Sequence, residues 1–182
     1  MKEKIVVTGG TGYIGSHTAV ELMNEGYEVV LIDNLHNSEA VVADRIGQIT
    51  GKIPGLEVFD LCRKKKVSSF FKENSDVAAI IHFAAYKAVS ESVSKPLAYY
   101  RNNLVSLINL LGAMKKNGIP ALVFSSSCTV YGQPETLPVT EDAPIQPAVS
   151  PYGNTKQIGE EIIRDTISAH KGLKAISLRY FN

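Results

Sequence analysis

Cysteine is scarce in this chain: 182 residues hold two, Cys62 and Cys128, far apart. That excludes a disulfide framework and fits a reducing, cytoplasmic setting. An excess of charge is lacking too, because 19 Lys and Arg against 18 Asp and Glu give a formal net charge of +1. No field of one sign draws the chain to nucleic acid or to an acidic membrane. The one dense basic patch, Arg63-Lys64-Lys65-Lys66, has no aromatic residues among it and reads as the solvated start of a helix. Long hydrophobic runs are absent. Nothing approaches the ~20 apolar residues that span a bilayer, so no membrane partner is expected. Met1-Lys2-Glu3-Lys4-Ile5 leads straight into an apolar run, and no signal peptide is expected. Metal-ligand spacing, internal repeats and low-complexity segments are missing as well.

What is present is balanced. Hydrophobic residues make up 45% and charged ones 20%, which suits one globular domain, 1–182, with a substantial core. Ile5-Val6-Val7, Val29-Val30-Leu31-Ile32, Ala79-Ile80-Ile81 and Ala121-Leu122-Val123-Phe124 are nearly continuous apolar runs. Such runs suit strands buried on both faces of a parallel sheet. Residues 56–59 and 175–178 are weaker strands. Helical patterns fill 13–24, 39–49, 63–73, 97–116 and 152–170. In the fourth, Leu104, Leu107, Ile108 and Leu111 form a stripe expected to face the sheet. The alternation predicts an α/β fold, a doubly wound, mostly parallel sheet of the Rossmann type. Residues 132–151 hold five prolines and no helical period, and read as a long functional loop.

The most informative stretch is Gly9-Gly10-Thr11-Gly12-Tyr13-Ile14-Gly15. It follows a strand and opens a helix. The chain must turn tightly there, let a pyrophosphate approach the backbone, and pack the helix on the sheet. Glycine meets all three needs at Gly9, Gly12 and Gly15. A bare glycine pattern is weak evidence; with the strand before it and the helix after it, the pattern points to a dinucleotide. Asp33 ends the second strand about 20 residues on, where an acid accepts from the adenosine ribose hydroxyls. A 2′-phosphate would meet its charge, which favours NAD over NADP. Asp60 ends the third strand and is suited either to the adenine amino group or to capping a helix.

Tyr152 and Lys156 stand four apart at a helix start, on one face. A free tyrosine has a pKa of ~10. A lysine ammonium ~5 Å away favours the ionised phenol by roughly 3 kcal/mol, the positive nicotinamide ring of NAD would add in the same direction, and together they would bring the tyrosine into range as a general base. The spacing alone is common on helices; its meaning comes from the glycine turn in the same chain. Ser125-Ser126-Ser127 follows an apolar strand, at the end that faces the ligand crevice in such sheets. One of these hydroxyls is suited to orient an alcohol, and the pattern does not choose which. Cys128 has no histidine partner nearby and reads as a packed thiol. His82 ends a strand and reads as structural.

These residues resemble the extended short-chain dehydrogenase/reductases, most nearly their UDP-glucose 4-epimerase branch. The phrases that carry the likeness span the chain in order: the glycine turn, Asp33-Asn34-Leu35 with Asn37-Ser38, His82-Phe83-Ala84 and Lys87-Ala88-Val89 with Glu91-Ser92. Pro96-Leu97, Asn102-Asn103, Ser125-Ser126-Ser127 with Thr129-Val130-Tyr131-Gly132, Ser150-Pro151-Tyr152-Gly153 and Leu178-Arg179-Tyr180-Phe181-Asn182 follow. The resemblance implies interconversion of UDP-glucose and UDP-galactose by transient oxidation at C4, with NAD as a held cofactor. Tyr152 is then the base, Lys156 its partner on the nicotinamide ribose, and Ser127, with Thr129, holds the sugar. Tyr13, Ile14, Asp33, Asn34, Leu35, His36, Asn37 and Ser38 would line the cofactor. So would Asp60, Leu61, Phe83, Ala84, Ala85, Lys87, Asn102 and Phe181. Lys87 and Asn182 would also reach the substrate.

Several departures from that family bear on chemistry. Its dehydratases carry an Asp-Glu pair where this chain has Cys128-Thr129, which favours oxidation and re-reduction over elimination. Ala85-Tyr86 stands where Gly-Leu is common, Ser90 for Gly and Cys128 for Ala, and these are expected to crowd the nicotinamide end. The family continues past Asn182 into a domain that grips the uridine and hexose, so little activity is expected of these 182 residues alone. Another UDP-sugar epimerase, a decarboxylase, or a non-catalytic NAD-binding module remains open. The family also implies a homodimer through the helices at 97–116 and 152–170. Val105 and Met114, off the centre of the stripe, would join Ile158, Ile162 and Ile163 at that contact.

Overall fold

A computed structural model describes residues 2–181. Six strands form one parallel sheet: β1 (Lys4–Thr8), β2 (Glu28–Asp33), β3 (Gly55–Val58), β4 (Val77–His82), β5 (Ala121–Ser127) and β6 (Lys174–Tyr180). Their order is β3-β2-β1-β4-β5-β6, that of a classical dinucleotide-binding sheet. Helices α1 (Tyr13–Asn24), α2 (Val41–Thr50), α3 (Lys64–Glu73), α4 (Val89–Ser94), α5 (Pro96–Asn117) and α6 (Pro151–Ala169) connect them. Among the described residues no helix is long and apolar enough to cross a membrane.

Alternate residues of each strand feed opposite faces. Ile5, Val7, Val29 and Leu31 meet Ala19 of α1 and Ala43 and Ile46 of α2. Val6, Ile80, Leu122 and Phe124 meet α3, α5 and α6 on the other side. Leu107, Leu110 and Met114 of α5 are fully buried there, each contributing about 1.5–3 kcal/mol. The capping follows the residue types. Pro96 and Pro151 stand in the first turns of α5 and α6, Ser150 Oγ accepts from the Gly153 N–H, and Gly118 ends α5 in the left-handed region.

The stripe expected on α5 is rotated. Leu107 and Leu111 face the sheet, but Ile108 is 52% exposed and Leu104 only partly buried. The buried face instead runs through Asn103, Ser106, Leu107, Leu110 and Met114, because α5 packs between α3 and α6. Met114 is therefore a core residue, and Val105 keeps 36% exposure. Two buried polar residues hid this face from a hydrophobicity pattern. Helix α4 lacks an apolar period altogether; the Glu91 carboxylate holds it, accepting from Lys95 Nζ and Tyr99 Oη. Strand β5 extends to Ser127, since its three serines pair with residues 178–180 of β6.

Two glycines test this packing. A Cβ at Gly15 would overlap the Gly9 carbonyl oxygen, whereas at Gly112, exposed on α5, it would meet nothing within 4 Å. Gly15→Ala is expected to cost about 3 kcal/mol, and Gly112→Ala to add up to about 1 kcal/mol. Urea unfolding midpoints that move in opposite directions would bear this out; equal midpoints would refute it.

Candidate active site

The C-terminal ends of the strands open into one groove of ≈ 550 Å³. Topology places it: the sheet runs outward in both directions from β1 and β4, so the connections after these strands diverge and leave a crevice. Gly9 takes φ +67°, and a Cβ there would meet the Ala84 backbone nitrogen at 2.8 Å. The turn thus passes against the loop after β4. Gly12 caps α1 without a side-chain acceptor, and the first turn holds no acid. The free N–H groups of that turn face the groove with Tyr13, Ile14 and Gly15, which line it.

The loop after β2 is tied to this turn by Asp33. One carboxylate oxygen accepts from the Thr11 N–H at 3.2 Å. The other accepts from the Leu35 N–H at 2.9 Å and from Ser38 Oγ at 3.3 Å. Thr11 Oγ1 and Ser38 Oγ lie 2.7 Å apart. Asn34, His36, Asn37 and Ser38 line the groove beside Asp33. Leu35 does not; it turns through φ +56° and serves the loop by its N–H. Asp60 and Leu61 line the same end, with Asp60 Oδ1 accepting from the Cys62 N–H at 2.8 Å. That is a turn before α3 rather than its cap, since Arg63 occupies the cap position.

At the other end the three serines take three roles. The Ser125 carbonyl accepts from Lys156 Nζ at 2.6 Å. Ser126 Oγ donates to Glu160. Ser127 lines the groove, and its Oγ accepts from the Thr129 N–H at 3.2 Å. Thr129 Oγ1 is buried with no hydrogen-bond partner. Tyr152 and Lys156 complete the wall. The Lys156 ammonium lies 4.8 Å from the Phe124 ring centroid and 5.8 Å from that of Tyr152. Burial pushes Lys156 down to about 8, against the Glu160 charge one turn on. The lysine also faces His82, which burial and then the Lys156 charge hold near 3. His82 is thus a neutral core residue, with Nδ1 2.7 Å from Thr8 Oγ1.

The four-residue spacing led us to expect a lowered Tyr152. The pocket does the reverse: burial raises the phenol, the Ser127 hydroxyl works against the rise, and Cys128 adds to it. Lys156 is turned toward the Ser125 carbonyl, and burial is the largest influence on the phenol.

Over residues 5–182 the sequence matches the model of the NAD dependent epimerase/dehydratase family. The chain belongs to this family. It is 53% identical over 178 residues to the UDP-glucose 4-epimerase of Bacillus subtilis, covering 98% of this chain and 52% of that protein. The human UDP-glucose 4-epimerase is 48% identical over 188 residues, covering 100% and 54%. A crystal structure of UDP-glucose 4-epimerase from Bifidobacterium longum in complex with NAD+ and UDP superposes with a TM-score of 0.96 at 45% identity, covering 98% of this chain and 53% of that one. The chain spans about half the length of the relatives it matches.

Most residues that the family resemblance singled out converge here. Phe83, Ala84, Ala85, Lys87 and Asn102 line the groove. Phe181 does not; it is 61% exposed and leans on the Tyr131 ring at 6.1 Å. Its neighbour Tyr180 lines the groove instead. Asn182 lies outside the described residues. No residue of 132–151 lines the groove; Gln157 holds that loop against α6 by bonds to the Val130 and Gln146 carbonyls. Cys128 lines the groove as a free thiol. Among the described residues no cluster of His, Cys, Asp or Glu could hold a metal ion.

Sequence reasoning missed a supporting network. Arg179 of β6 donates from Nε and Nη2 to both Glu160 oxygens at 3.0 and 2.7 Å, and from Nη1 to Tyr131 Oη at 2.9 Å. Burial raises the Glu160 carboxyl, but Arg179 and Ser126 outweigh it and hold it low. The available signal was Glu160 standing one helical turn beyond Lys156.

The lowered Lys156 has a measurable consequence. Between about 8 and 10.5 the unfolded chain holds a proton that the folded chain has released. Stability therefore rises with pH across that window, by at most about 3 kcal/mol. The unfolding free energy of the native chain, minus that of Lys156→Met, is expected to climb from pH 8 to 10. A flat difference would show the lysine to be unperturbed.

Proposed function

We propose that the chain is the dinucleotide-binding half of an NAD-dependent UDP-glucose 4-epimerase. One observation carries this reading: Tyr152 and Lys156 open into the same groove as the glycine turn, at the C-terminal ends of parallel strands. The residues present suit NAD. A turn with no room for a Cβ lets phosphates reach the backbone. The first turn of α1 has N–H groups without acceptors, and Asp33 stands where ribose hydroxyls donate and a 2′-phosphate is repelled. In this reading Gly9, Gly12, Tyr13, Ile14 and Gly15 hold the phosphates, the 33–38 loop the adenosine ribose, and Asp60 and Leu61 the adenine. The loop from Phe83 to Lys87, with Asn102, lines the remainder.

Bound NAD supplies the acceptor and the later donor of the electron pair at C4. Tyr152 Oη takes the proton of the 4-hydroxyl and returns it. Burial leaves the phenol above its ordinary value, so positive charge brought in with the cofactor is needed to lower it. Lys156 orients the nicotinamide ribose from its seat on the Ser125 carbonyl. Ser127 and Thr129 Oγ1, the latter without a partner among the described residues, accept from and donate to the sugar. The oxidised sugar turns over in the site and is reduced on its other face. Residues gripping the uridine and hexose belong to the remaining half of the longer relatives. The free Cys128 thiol in the groove suits a reducing, cytoplasmic setting.

We also propose a two-fold dimer through α5 and α6. Leu97, Val105 and Ile108 are exposed on α5 at 83%, 36% and 52%, and a second copy would cover them. Sedimentation is expected to give a dimer that Ile108→Glu converts to monomer with the fold intact. A monomer at every concentration would end the proposal.

The catalytic reading has two tests. Fluorescence titration of this chain is expected to give NAD about tenfold or more tighter than NADP; the reverse order would overturn the Asp33 assignment. In a protein carrying the full length of the relatives, Tyr152→Phe is expected to lower kcat by about 10²–10⁴ with NAD still bound. Undiminished turnover of UDP-galactose would refute the base.

A further inference from the structure

Strand order puts β2 and β4 on either side of β1. The glycine turn follows β1, so the loops after β2 and β4 flank it. His36 belongs to the first loop and Tyr86 to the second. Their rings meet, with centroids 5.2 Å apart and planes tilted by 39°, and both side chains line the groove. The two loops that flank the glycine turn therefore meet through these side chains. Tyr86 was expected to crowd the nicotinamide end; its ring lies instead against the loop that carries Asp33.

The two abutments differ. Tyr86 is fixed. Its N–H donates to Asn103 Oδ1 at 2.8 Å, and its carbonyl accepts from Asn103 Nδ2 at 3.0 Å. Asn103 is buried, and Nδ2 also donates to Thr155 Oγ1 at 3.0 Å, beside Lys156. The far side of the Tyr86 ring meets Tyr99 at 5.5 Å. Tyr99 is itself buried and donates from Oη to Glu91 at 2.8 Å. His36 is exposed. Beyond the ring contact its backbone N–H donates to Asn34 Oδ1 at 3.1 Å. One ring is anchored to the core, while the other stands at the solvent edge.

We propose that His36 and Tyr86 form a reversible aromatic bridge over the glycine turn, which closes the groove around a bound dinucleotide and slows its passage in and out. The proposal rests on the dinucleotide reading given above. A bridge present with and without ligand obstructs entry and exit alike. It therefore changes both rates and leaves affinity nearly untouched, whereas a side chain that merely contacts the ligand changes affinity through release. The ring pair is worth about a tenfold change in rate when broken.

NADH is the probe, since its own fluorescence reports binding and the chain has no tryptophan to interfere. In stopped-flow mixing with the 182-residue chain, Tyr86→Leu and His36→Ala are each expected to raise association and dissociation rates by about tenfold. The association rate is the deciding readout, since loss of a ligand contact at either ring accelerates release alone, and the double variant is expected to be no faster than either single one. The exposed position of His36 keeps the test valid if Tyr86→Leu fails to fold. A second readout needs no dinucleotide. The His36 ring proton resonance in the free chain is expected to be shifted upfield by the Tyr86 ring and to return to its ordinary place in Tyr86→Leu. An unshifted resonance overturns the bridge. A shifted resonance with unchanged rates, or with release alone accelerated, overturns its gating role. A shifted resonance in a chain that binds no NADH locates the failure in the dinucleotide reading, and the gating role falls with it.

Discussion

The ligand end of the sheet depends on one clearance, the contact between the backbones of Gly9 and Gly15. A Cβ at residue 15 would overlap the Gly9 carbonyl oxygen, and one at residue 9 would strike the Ala84 backbone. Because neither exists, α1 starts directly above the end of β1, and the loop after β4 lies against the turn. Asp33 then has the Thr11 N–H within reach, which draws the loop after β2 inward. Three consecutive sheet connections are thereby packed at van der Waals distance. The groove is what remains between them, and His36 and Tyr86 meet from the two outer connections.

The opposite end of the groove is organised around a buried cation. Lys156 has a carbonyl and two aromatic faces for neighbours, and no carboxylate in direct contact. Such a site holds its charge weakly when empty and responds strongly to any charge placed nearby. The Glu160–Arg179 pair lies one helical turn away and fixes α6 to β5 and β6. The lysine is thus positioned rigidly while its protonation stays adjustable, a combination suited to a group that orients a cofactor.

Much of this was legible from local chemistry. The glycine turn, Asp33, Tyr152 and Lys156 all line the one groove, and their positions could be read because each is set locally: a turn, a strand end, one face of one helix. Apolar runs located the cores of four of the six strands, and the two weaker signals, 56–59 and 175–178, fall on β3 and β6. The errors share a different origin. The orientation of α5 was set by α3 and α6, and Asn103 and Ser106 on its buried face carry no hydrophobic mark. The direction of the Tyr152 shift depended on how deeply the phenol is buried and where Lys156 points, which spacing does not encode. Ser125, Ser126 and Ser127 are chemically identical and all line the groove, and only the folded geometry separates one whose carbonyl accepts from Lys156, one that holds Glu160 and one whose hydroxyl accepts from the Thr129 N–H. Tyr180 is the last residue of β6 and lines the groove, whereas Phe181 lies just past the strand and is exposed.

The last strand carries a further consequence. Ile176 and Leu178 are exposed on β6 at 62% and 41%, on the face that α1 and α2 leave uncovered, and β6 has no neighbour on its outer side among the described residues. An unpaired strand edge flanked by apolar side chains is a template for any other extended segment, including the same edge of a second molecule. A domain boundary drawn through this region leaves solubility dependent on how that edge is guarded. Charged residues placed along the outward face of β6 would protect it without touching either core or the groove.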